Sequence, residues 1–63
     1  MLKIMVLNNM IVFKELSDEL VLKVQNICEL ELNGRGQYCV VGDAKKLYDT
    51  LLGLSYTYDI ELY

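Results

Sequence analysis

Four carboxylates stand in pairs one residue apart, Glu29 with Glu31 and Asp59 with Glu61. A spacing of two puts both members of a pair on the same side of an extended strand. If the two strands are neighbours, the charges converge on an acidic patch suited to a basic protein surface, because like charges set opposite one another cost stability unless a partner compensates. The alternative is a pair of ordinary solvated strand faces. No loop is present there to fix a cation's geometry, so no metal is expected. Lys45 and Lys46 follow Asp43 at what reads as a helix start, where an anion is drawn to free backbone N–H groups, although such lysine pairs are commonly plain surface. Tyr38, Tyr48, Tyr56, Tyr58 and Tyr63 crowd the second half of the chain. Tyrosine is enriched among interface anchors and is equally at home as a strand former. The residues expected to meet a protein partner are therefore Glu29, Glu31, Asp59, Glu61, Tyr58 and Lys46.

Absent residue types narrow the chemistry further. There is no histidine, which removes serine and cysteine triads, histidine-held metals, phosphohistidine chemistry and the commonest general base. No nucleophile has a credible base, so a non-catalytic protein without cofactor is expected. Cys28 and Cys39 are too few for a secreted disulfide scaffold and lack the C-x-x-C spacing. Buried free thiols and a cytoplasmic location follow. Six basic against nine acidic residues leave a net charge of −3, which disfavours a nucleic-acid partner on electrostatic grounds. The apolar run 4–7 stops at Asn8 and Asn9, short of a signal sequence or a membrane span. At 63 residues the chain is one small α+β domain, and with 54% hydrophobic residues it has more apolar surface than it can hide. A homodimer or an obligate complex with another protein is the expected remedy.

These residues must be positioned by regular elements. Residues 2–7 form an apolar run with Lys3 as the single charge, a first strand with Leu2, Ile4 and Val6 on one side. Phe13, Leu16, Leu20, Val24 and Ile27 then recur at spacings of 3, 4, 4 and 3, the stripe of a continuous helix. A second reading pairs residues 10–14 back on the first strand across Asn8-Asn9 and lets Ser17 cap a shorter helix, with Asp18 and Glu19 in its first turn. The length of the stripe favours the continuous helix. Cys28, Leu30 and Leu32 alternate with Glu29 and Glu31 as a second strand. Asn33-Gly34-Arg35-Gly36 is a turn signal, Asn-Gly supplying the positive φ of a tight hairpin, and residues 37–41 return as a third strand. That places Cys39 opposite Leu30, with both cysteines on the apolar face. Asp43 caps a second helix whose apolar face is Leu47, Tyr48, Leu51 and Leu52, with Gly53 at its C-cap. Tyr56, Tyr58, Ile60 and Leu62 alternate with Thr57, Asp59 and Glu61 in a closing strand. The order β-α-β-β-α-β predicts an α+β open-faced sandwich, a four-stranded antiparallel sheet with two helices on one face.

Two arrangements share that order, the ferredoxin-like split β-α-β fold and the fold of the histidine-containing phosphocarrier (HPr) family. Asn33-Gly34, then Val41-Gly42-Asp43-Ala44-Lys45-Lys46-Leu47, then residues 51–54 and Asp59-Ile60-Glu61-Leu62 resemble the HPr run in which a strand leads through Ala-Lys-Ser-Ile into the second helix and a final strand. The likeness covers residues 33–62. It implies that strands two and four are neighbours, which would bring the four carboxylates together; a ferredoxin-like order would separate them. It implies no phosphocarrier activity, because the family's active histidine has no counterpart, Lys46 stands at the position of its regulatory serine, and its third helix is missing. Two function classes follow. The preferred one is a small non-catalytic interaction protein, an inhibitor or adaptor of the kind that bacteria or their phages encode, covering a site on a larger protein. The other is a degenerate HPr-like regulator that binds sugar-phosphotransfer or carbon-control proteins and carries no phosphate.

Overall fold

The computed structural model describes residues 1–63. Strands β1 (Leu2–Leu7) and β2 (Met10–Glu15) form an antiparallel hairpin across Asn8 and Asn9, with Leu7 facing Met10 and Ile4 facing Phe13. Ser17 then caps a helix of seven residues, α1 (Asp18–Val24), its hydroxyl accepting from the Leu20 N–H. The continuous helix expected from Phe13 to Ile27 is therefore not formed; the hairpin and the shorter capped helix take its place. The helical spacing has a tertiary origin. Phe13 points inward from β2, and Leu20 and Val24 point inward from α1, so all three reach one core although the backbone changes type between them. Nor does β2 alternate as a half-buried strand would. It is the central strand, and Ile11, Val12 and Phe13 are all buried.

In the second half the expected elements form with displaced ends. Strand β3 is only Glu31–Leu32, and it pairs with β4 (Tyr38–Val41) in the expected hairpin. Helix α2 (Ala44–Ser55) starts at the Asp43 cap, whose carboxylate accepts from the Lys46 N–H at 2.9 Å. It runs through Gly53, which is not its C-cap: Tyr56 takes that position, and Gly53 passes close to Ile27. Tyr56 thus ends a helix instead of beginning a strand, and β5 is confined to Ile60–Leu62.

The sheet has five strands in the order β3-β4-β2-β1-β5 and is mixed, where four antiparallel strands were expected. The N-terminal hairpin supplies the extra strand. β5 lies parallel to β1, Leu2 beside Ile60 and Ile4 beside Leu62, while the remaining pairs are antiparallel. Because β4 runs in the same direction as β5, the chain must cross over between them, and α2 is that crossover. One sheet face packs on the helices: Leu2, Ile4, Ile11, Phe13 and Val40 meet Val24 of α1 and Leu47 and Leu54 of α2. No polar or charged side chain is buried. By strand alternation and register, the other face carries Lys3, Met5, Val12, Cys39, Glu31 and Glu61.

Candidate functional site

The strand order decides the fate of the acidic residues. Glu31 belongs to β3 and Glu61 to β5, the two outer strands, with three strands between them. Four inter-strand spacings of about 4.8 Å separate them by roughly 19 Å. The two carboxylate pairs therefore do not join into one patch, as neighbouring strands would have required. Glu29 is exposed between half-buried Cys28 and Leu30 ahead of β3, and Asp59 is exposed just ahead of β5. Lys46 sits in the first turn of α2 with its side chain against Gly42, where an added Cβ would collide with it, and near enough to Cys28 to act on that thiol. Tyr58 is half-buried and packs on the core. The structure's ion pair, Lys23 with Glu19, involves none of these residues.

What the fold does assemble is a groove between α2 and β5. Tyr48, Leu51, Leu52 and Ser55 line its helix side and Ile60 and Leu62 its strand side, around an open cleft of about 360 Å³. Tyr48 and Leu62 are each 65% exposed. Along the groove β5 has one paired and one unpaired flank. The Asp59 carbonyl accepts from the Leu2 N–H at 2.8 Å, and the Tyr63 N–H donates to the Ile4 carbonyl at 2.9 Å. In a parallel ladder this alternation turns the N–H and C=O of Ile60 and Leu62 away from β1, toward the free edge. The apolar stripes of the second helix and the last strand are both visible in the sequence. Their meeting as an open groove is not, because it depends on β5 being outermost.

A second concave surface lies on the opposite face, where Met5, Leu7, Met10 and Val12 border the turn residues Asn33 and Arg35. That turn also sets the placement of the cysteines. Glu31 pairs with Cys39 and Leu32 with Tyr38, one residue away from the expected register of Leu30 against Cys39. A one-residue slip moves a side chain to the other face. Cys39 consequently lies on the face turned away from the helices, whereas Cys28 packs on the helix-side core. The cause is the loop: Gly36, not Gly34, takes the positive φ, at 75°. Asn33 acts through its side chain, its Oδ1 accepting from the N–H groups of Arg35 and Gln37 at 2.9 Å each.

Both thiols are free. Burial pushes the Cys28 thiol above its ordinary value of 9.0, with Lys46 opposing, and burial followed by the Glu31 charge pushes Cys39 above the same value. Each is a protonated, weak nucleophile at neutral pH. No group of three or more histidine, cysteine or acidic side chains is placed to hold a metal ion. No helix is long and apolar enough to cross a membrane. In comparisons with protein-family models, curated proteins and solved structures, nothing matches this chain.

Proposed function

We propose that the chain is a small non-catalytic protein–protein interaction module, an inhibitor or adaptor that acts by covering a site on a larger protein. The supporting observation is the groove of α2 and β5, where Tyr48, Leu52 and Leu62 stay exposed beside an unpaired strand edge. Exposed apolar surface next to free backbone donors and acceptors is unfavourable alone and is the arrangement that a protein partner completes. Glu61 lies on the strand that borders this groove but on its opposite face, with Asp59 two residues before it, while Glu29, Glu31 and Lys46 lie elsewhere. The chemistry of the side chains points the same way: there is no histidine, and both thiols are held protonated.

The test is a comparison of the wild-type protein with the double variant Leu52→Lys, Leu62→Lys, each immobilised and exposed to the same bacterial lysate. Both positions are exposed, so the variant should keep its far-UV spectrum and melting temperature. Proteins retained by the wild type should be absent from the variant in quantitative mass spectrometry. Identical capture by both would sink this reading of the groove.

A further inference from the structure

We infer that the groove takes an extended segment whose residues alternate apolar and basic, added as a further strand beside β5; the inference rests on the groove being an interaction site, as proposed above. Three features of one edge specify this occupant. The backbone groups of Ile60 and Leu62 face outward, so an incoming strand finds donors and acceptors already in register. Side chains of an added strand alternate between the two sheet faces. Those on the helix side fall over Tyr48, Leu51 and Leu52, which accept apolar groups. Those on the other side fall beside Glu61 and its neighbour two residues back, Asp59. Neither carboxylate is engaged in an ion pair, Lys3 standing beside Glu61 in the ladder without bridging to it, and their spacing of two matches the repeat of one strand face. Basic residues at alternate positions of the segment satisfy both at once.

The same charges argue against a second copy of this chain as occupant. Pairing β5 with β5 of another copy sets a row of carboxylates against an identical row, and like charges directly opposed across strands are destabilising. No strand of this chain alternates basic with apolar residues. An acidic edge therefore repels its own kind and admits a basic strand, which is electrostatic selection of the partner.

The probes are three capped peptides of seven residues: Lys-Val-Lys-Val-Lys-Val-Lys, its counterpart with glutamate for lysine, and a blocked isomer, Lys-Lys-Lys-Lys-Val-Val-Val. Each is titrated into the ¹⁵N-labelled protein. The alternating basic peptide should bind saturably, shift the amides of Ile60 and Leu62 and slow their exchange. The acidic and blocked peptides should bind weaker by on the order of tenfold. The isosteric pair Asp59→Asn, Glu61→Gln should weaken the basic peptide roughly 3- to 10-fold, as expected for two exposed ion pairs. Leu62→Pro removes an outward donor and none of the bonds to β1, and should abolish binding while the spectrum stays dispersed. Equal binding of the acidic or blocked peptide, shifts centred on β3, or unchanged affinity of the isosteric variant would overturn the inference. So would a dimer in sedimentation equilibrium that Leu62→Pro dissociates, since the second copy would then be the occupant. These outcomes leave the lysate comparison untouched, so this inference and the module reading fail separately.

Discussion

Cys39 lies on the sheet face away from the helices and is nevertheless buried, with Glu31 opposite it in the ladder. Burial first and the carboxylate second favour the neutral thiol, so the folded pKa lies above the unfolded value of 9.0. The sign of the linkage follows. Below 9.0 both states hold the proton and the contribution is fully present; above it the unfolded chain loses a proton that the folded chain keeps, and stability falls as pH rises through the folded value. Cys28 acts in the same direction, with Lys46 opposing. The urea midpoint should be flat near neutrality and decline above pH 9.0, and the decline should be shallower in Cys39→Ala, measured by urea titration across the alkaline range. An equal slope in both proteins would mean that other groups carry it. That Cys39 is a buried free thiol is legible in its apolar strand neighbours. The face it occupies is not, since one residue of register reverses it and register is settled by the loop.

Within the β3–β4 hairpin, that loop makes a prediction about the two glycines. Gly36 is left-handed, and an L side chain there should cost about 1 kcal/mol, whereas Gly34 has an ordinary φ and open space around it. Gly36→Ala should lower the urea midpoint, and Gly34→Ala should leave it within about 0.5 kcal/mol of wild type. The reverse order would assign the left-handed position to Gly34. The turn was legible because Asn33, Gly34 and Gly36 have few other uses together; the choice of glycine was not, because both residues fit it. The β1–β2 hairpin was the harder element. Asn8-Asn9 serves equally as a helix start and as a turn, and inward residues of a strand and of the next helix can keep helical spacing when they share one core. The end of α2 was displaced for a similar reason. Gly53 has the type of a terminator, but it lies within α2, which runs on to Ser55, and a side chain's first carbon there would meet Ile27 at ordinary contact distance.

Across the whole molecule, the strands differ in how firmly they are held. β1 and β2 pair over most of their lengths and supply Leu2, Ile4, Ile11 and Phe13 to the core. β3 has two residues, and β5 three, held on one flank alone. Native-state hydrogen exchange should therefore be slowest at the β1 and β2 amides and faster by about tenfold or more at Glu61 and Tyr63, whose N–H groups point toward β1. Uniform protection would contradict this ranking. The α+β class and α2 were legible from local pattern, α1 only through the shorter and less favoured of two readings, and the carboxylate pairs in their spacing alone. The sheet order was not, and with it went the union of those pairs, because neighbours in a sheet are chosen by crossovers that span the molecule. The parallel pairing of β1 with β5 joins segments separated by nearly the whole chain. During synthesis β1 leaves the ribosome long before its last neighbour exists. Leu2 and Ile4 must then wait beside an open flank until residues 60–62 emerge, so the nascent chain passes through a stage in which a stray extended segment can occupy the seat reserved for β5.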